Sequence, residues 1–287
     1  MDLYPFPAAI QIQDRVSAHQ YSSAVYAQGA IDRCLVMWAD ASIDPSGLSA
    51  SAVRYLGPSS QRWKESVTLN SLQYGSSGSY EGEFIAILEA FRLAHELALA
   101  GAFDRLVIFS DCQSVLKALA KNKGFPVMSS PALVYDMYCY AYALYGAGIE
   151  VELRWVPGHA GVGGNVRADK LAQRVRRLAQ EIMADEAPGL VVKNVVTTTS
   201  SRESLRLALL GRWAHGIQRE CGQRQESVFD IESQYVKNIL DMFPAIPEYL
   251  RQQMLETAQR EWIAGAAMQI ETLLGLGEVG VEWWGGY

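Results

Sequence analysis

A chain of 287 residues, 49% hydrophobic and 20% charged with a mean hydropathy of +0.00, has the apolar content to bury a core, and its length corresponds to about two domains. Disordered, collagenous and coiled-coil classes are excluded by that balance. The net charge of −6 is unevenly spread: residues 30–180 hold 14 acidic and 15 basic side chains, whereas residues 181–287 hold 15 and 9, so only the middle of the chain suits contact with a polyanion.

No apolar run approaches the roughly 20 residues that span a bilayer, and the first residues lack the layout of a signal peptide, so no membrane association and an intracellular location are expected. Cys34, Cys112, Cys139 and Cys221 stand apart with no Cys-x-x-Cys pair, which points to buried thiols rather than a disulfide framework or a zinc site.

Residues 1–30 show no sustained period and contain Pro5 and Pro7, so they read as an irregular leader. The run Cys34-Leu35-Val36-Met37-Trp38-Ala39 is continuously apolar, as in a strand covered on both faces, and ends in Asp40. Residues 51–56 and 63–69 read as two more strands, giving an antiparallel start, and the Gly- and Ser-rich residues 74–80 as a loop. Phe84, Ile87, Leu88, Phe91 and Ala94 then recur at helical spacing, predicting a helix over 81–100 that stops at Gly101.

The strand 105–110 also ends in an aspartate, Asp111. A helix to residue 121, a break at 124–131, an aromatic-rich helix over 132–146 and a strand over 149–155 follow. Asn165 is placed as the cap of a helix carrying Leu171, Val175, Leu178 and Ile182. The order βββαβααβα implies an α/β mixed sheet layered with helices, over a domain of residues 31–186. A boundary is expected at 186–200. Beyond it, stripes headed by Leu205, Ile231 and Leu250 predict an all-helical domain over 200–274, and 275–287 reads as a tail.

Asp40 and Asp111 close buried strands, where a charge is costly unless compensated. Each alone would serve as a turn or helix cap. With Glu83 opening one helix and Asp169 near the start of another they form a set at the carboxyl ends of strands, where sites of open α/β sheets gather. Such hard oxygen donors suit Mg²⁺ or Mn²⁺. Glu81 and Glu89 share the predicted helix with Glu83, so Glu81 remains the alternative donor.

The segments Trp38-Ala39-Asp40-Ala41-Ser42, Tyr80-Glu81-Gly82-Glu83-Phe84-Ile85-Ala86-Ile87-Leu88, Phe109-Ser110-Asp111-Cys112-Gln113-Ser114-Val115-Leu116, Trp155-Val156-Pro157-Gly158-His159-Ala160-Gly161 and Gly164-Asn165-Val166-Arg167-Ala168-Asp169 resemble the successive motifs of ribonuclease H. The form is that of domains near the C-terminus of reverse transcriptases from non-LTR retrotransposons, fungal ones especially. The resemblance spans residues 34–182 and implies a five-stranded ribonuclease H-like sheet, with the C-terminal helical region as an extension. It also implies an endonuclease that cuts the RNA strand of RNA/DNA hybrids. Asp40, Glu83, Asp111 and Asp169 become the ligands of two Mg²⁺ ions (or Mn²⁺), and His159 serves proton transfer or product release.

Arg167, Lys170, Arg174 and Arg177 lie on one stripe of the last catalytic-domain helix, read either as a solvated face or as a track for a phosphate backbone. Ser42, Gln113, Ser114 and Asn165 complete the expected nucleic-acid contacts. The chain departs from the cellular enzymes in having Gly78-Ser79-Tyr80 where an Asn-Asn-Arg run precedes the helix glutamate, and Ala41 where glycine is commonest. A rival reading is a catalytically silent, retroelement-derived scaffold that binds nucleic acid or protein. The C-terminal helices are expected to pack on the catalytic domain or on a protein partner.

Overall fold

The computed structural model describes residues 5–57, 62–72, 76–99, 101, 103–121, 132–186, 190–192 and 195–197, together with residues 201, 202, 205, 206, 208 and 209. The apolar run at Cys34 forms the centre of the sheet, β2 (Cys34–Ile43). Numbered along the chain with it are β1 (Ala9–Gln11), β3 (Leu48–Leu56), β4 (Trp63–Ser71), β5 (Arg105–Ser110), β6 (Glu150–Trp155) and β7 (Val195–Thr197). The helices are α1 (Arg15–Gln28), α2 (Ser76–Ala98), α3 (Gln113–Lys121), α4 (Ala132–Gly146) and α5 (Gly163–Glu186).

The strands stand in the order β1-β6-β5-β2-β3-β4-β7. β2, β3 and β4 are antiparallel neighbours, as expected, and β5 and β6 run parallel to β2. Alternation along β2 divides the core between the two faces. Leu35, Met37 and Ala39 pack with Phe84, Ile87 and Phe91 of α2 and Met137 of α4. Val36 and Trp38 point the other way, with Phe109, Ala168 of α5 and Val25 of α1.

Three expectations change. The leader is ordered: Asp14 caps α1 by accepting from the amides of Val16 and Ser17, each at 3.0 Å, and β1 pairs in parallel with β6. Tertiary contacts supply what local pattern lacks, as Phe6 sets its ring edge-on to Phe91 and Tyr138 at 5.7 and 5.1 Å. Among the described residues the sheet accordingly has seven strands, the five expected ones flanked by β1 and β7. The helix expected at 81 begins at Ser76, so much of the expected 74–80 loop is helical; Tyr80 stacks on Phe84 one turn on, at 6.5 Å.

Residues within and beyond the boundary expected at 186–200 pack on the sheet and α5. β7 pairs antiparallel with β4, and Val192, Val195, Leu205 and Leu209 are buried against Leu69, Leu171 and Val175. The remaining C-terminal stripes, the tail and the protein partner expected there lie outside the described residues. No helix among those described is long and apolar enough to cross a membrane.

Candidate active site

β2 and β5 are adjacent and parallel, with Ala39 opposite Ser110, so the next residues, Asp40 and Asp111, emerge side by side. Asp111 follows the end of β5, whereas β2 runs on to Ile43, so Asp40 lies within its strand and does not close it as expected. α2 brings Glu83 to the same point, and the Ser51 hydroxyl fastens that helix turn to the sheet by donating to the Gly82 carbonyl at 2.7 Å. Ligand oxygens of Asp40, Glu83 and Asp111 all lie within 4.8 Å of one another. Asp169 and His159 line the same cleft, of about 270 Å³, with Ala41, Asn165 and Val166.

Like charges gathered in a buried place resist ionisation. Burial, reinforced by Asp111 and Asp169, pushes the Asp40 carboxyl up to about 8. Glu83 is raised by burial and then by Asp40 and Asp111. Burial also raises Asp111, opposed by a hydrogen bond from Asn165 and the charge of His159. Glu83 Oε2 and Asn165 Oδ1 are buried oxygens with no hydrogen-bond partner. A donor set of converging hard oxygens, short of compensating positive charge and with unused lone pairs, fits a divalent cation of the Mg²⁺ type. Of the alternatives on α2, Glu81 is buried but neither lines the cleft nor joins this group, and Glu89 accepts from Ser66 and Arg92, so Glu83 is the carboxylate of α2 that the structure brings in.

His159 is exposed at the cleft mouth on a turn where its own φ is +54° and that of Gly161 is +80°. Gly158 lies flush against the Asp111 carboxylate, where a Cβ would meet Oδ2 at 2.7 Å. Trp155 holds the strand end by donating from Nε1 to the Asp111 carbonyl at 3.1 Å.

The pattern of the RNase H family matches residues 32–177, half of the chain, and takes in every residue of this cleft. The chain belongs to the RNase H family. It is similar to the Ribonuclease H of Methylorubrum extorquens (strain PA1), at 30% identity over 128 residues that make up 39% of this chain and 54% of that protein. The chain thus spans about half the length of the curated relative it matches. Among solved structures it is similar to RNase H1 from the halophilic archaeon Halobacterium salinarum NRC-1 (TM-score 0.34, 19% identity, 49% of this chain and 96% of that one). The N-terminal RNase H domain of a Mycobacterium tuberculosis protein gives a TM-score of 0.36 at 17% identity, over 52% and 98%.

The expected nucleic-acid contacts of this RNase H domain separate into two groups. Asn165 is 4% exposed, and its amide donates to Asp40 Oδ2 at 3.3 Å and Asp111 Oδ2 at 3.2 Å, so it belongs to the carboxylate site and not to an outer surface. Nor is it a cap, since α5 starts at Gly163 and the Val166 amide already bonds the Val162 carbonyl. Ser42 accepts from Arg176 at 3.0 Å, and Arg176 also pairs with Asp44. That buried bridge was not foreseen, because Arg176 lies off the charged stripe. Arg167, Lys170, Arg174 and Arg177 are exposed and stand outside the cleft lining. Gln113 accepts from Lys117, and Ser114 is exposed with its hydroxyl 3.2 Å from Cys112 Sγ.

Proposed function

We propose that the protein is a metal-dependent endonuclease that hydrolyses the RNA strand of RNA/DNA hybrids, leaving 5′-phosphate and 3′-hydroxyl ends. The convergence of Asp40, Glu83 and Asp111 from three separate elements within 4.8 Å, inside a domain of the RNase H family, carries this reading. A protein that merely bound nucleic acid would gain nothing from concentrating negative charge where a phosphate must approach.

Asp40, Glu83, Asp111 and Asp169 would hold two Mg²⁺ ions, with Mn²⁺ as a substitute. Bound there, the ions supply Lewis acidity at the phosphodiester and a water of lowered pKa. Burial raises the carboxyls of both Asp40 and Asp111, so an arriving cation favours their ionised forms. Asn165 donates to both aspartates and orients their carboxylates. The exposed imidazole of His159, which lines the cleft, takes or delivers a proton there or assists product release. No side-chain nucleophile is required.

The wording of the five motifs supports kinship with the domains of fungal-type non-LTR retroelement reverse transcriptases. An intracellular site of action accords with a hybrid substrate. The test is cleavage of an end-labelled RNA/DNA hybrid, with single-stranded RNA and duplex DNA beside it, in Mg²⁺ and in EDTA. Metal-dependent cutting confined to the RNA of the hybrid is expected; cutting unaffected by EDTA overturns the reading.

A further inference from the structure

α1 lies outside the segment the family pattern matches, which begins at residue 32, yet it touches the turn that presents His159. His19, on the inner side of the helix, donates from Nε2 to the Ala160 carbonyl at 3.1 Å, across 141 positions of sequence. The Tyr26 ring lies so close to Gly163 that a Cβ there would stand 2.4 Å from it, and only glycine lets helix and loop meet at this distance. Val25 shares an apolar cluster with Val156 and Val162, which flank the turn on either side. Tyr21 reaches the preceding strand, with the Arg154 guanidinium 3.9 Å over its ring.

The turn needs an external hold. His159 sits at φ +54°, a left-handed conformation that costs a residue with a side chain and persists only when its surroundings impose it. The next residue, Ala160, offers the carbonyl that His19 takes. We infer that α1 is a brace built onto the catalytic domain, and that His19 is a positioning residue which, through the Ala160 carbonyl, keeps His159 aimed at the cleft. The inference rests on the nuclease reading only for the consequence in catalysis; the brace itself is a statement about the turn.

Two variants of the full chain test it: His19→Ala, which removes the donor, and His19→Gln, whose side-chain amide offers one at similar reach. Amide hydrogen exchange is followed at residues 160–162 and, as reference, in β2 and β5. His19→Ala is expected to speed exchange at the turn about fivefold, the equivalent of one neutral hydrogen bond, and to leave the reference strands unchanged. Cleavage of a labelled hybrid should lose a similar factor in kcat with KM unchanged, and His19→Gln should restore most of both losses. In a His159→Ala background, His19→Ala should add no further loss of kcat.

Unchanged exchange at the turn overturns the brace, as does faster exchange spread equally over β2 and β5, which would make His19 a general stabiliser. An equal kcat loss with and without His159 overturns the positioning role. Should no form of the protein cut hybrid, the nuclease reading falls and the exchange result still decides the brace.

Discussion

Replacing Asp40 by asparagine removes a charge that the metal-free fold holds at a cost. With its carboxyl raised from 3.8 to about 8, the folded state binds this proton more tightly than the unfolded chain does. The favourable contribution is therefore complete below pH 4 and is lost as the pH rises through 8. Four units at about 1.4 kcal/mol each set a ceiling of roughly 6 kcal/mol. Glu83 and Asp111 share the same repulsion, so relief at Asp40 alone should be about 2 kcal/mol, or roughly 4–8 °C in Tm for a domain of this size. In EDTA, Asp40→Asn should melt higher than the parent protein at pH 8 and equally at pH 4. Added Mg²⁺ should raise the parent's Tm and leave the variant's almost unmoved, while hybrid cleavage falls roughly 10³-fold or more. A variant that melts lower than the parent at pH 8 in EDTA, or that responds equally to Mg²⁺, would refute the account of Asp40.

Glu83→Gln should likewise lose nearly all hybrid cleavage, whereas Glu81→Gln should retain the parent's Mg²⁺ dependence; equal losses in a Mg²⁺ titration of the two would count against Glu83 as the donor from α2. Asn165→Ala takes the shared amide from Asp40 and Asp111, so the metal-free protein should lose about 1–2 kcal/mol in urea melts at pH 8, with a smaller loss in saturating Mg²⁺. A chain ending at Asp185 removes β7 and the buried Leu205 and Leu209, each leucine contributing about 2 kcal/mol of burial, and should be far less stable than one ending at 209. Equal urea midpoints for those two lengths would show that residues 190–209 contribute nothing to this core.

Where pattern and packing agree, the sequence was enough. The run 34–39 is apolar at every position because β2 is covered on both faces, and Asp40 interrupts it at the edge of that cover. Leu171, Val175 and Ile182 keep helical spacing because one face of α5 packs on the sheet, with Ala50, Ala52 and Leu69. α1 escaped the same reading because its burial is carried by other residue types. Ser22 is fully buried, its hydroxyl bonded to the Ala18 carbonyl at 2.7 Å, and Tyr21 and Tyr26 are only partly covered. Asn165 was misjudged for a different reason: after two glycines, an asparagine has the profile of a cap, and only the third dimension shows two carboxylates facing its amide. β7 is three residues long, and its partner strand is more than 100 positions away.

The spacing of the acidic pair is set below the cleft, in the apolar layer. Trp38 and Phe109 are register partners on β2 and β5, and their rings stack at 4.2 Å and 13°. Each lies two residues before an aspartate, so the stack holds Asp40 and Asp111 at the separation of neighbouring strands, about 4.8 Å, a span one cation can bridge with an oxygen from each side. α5 is seated on the same tryptophan: a Cβ on Gly164 would stand 2.1 Å from the Trp38 ring, so glycine there lets the first turn of the helix rest directly on the indole. That contact brings the next residue, Asn165, level with the aspartates, and Asp169 follows one turn later on the same side. An enlarged residue at 164 would lift both from the cleft without altering a single carboxylate. The Trp-Ala-Asp, Phe-Ser-Asp and Gly-Asn sequences are thus parts of one device, in which aromatic packing sets the distances at which the charged groups work.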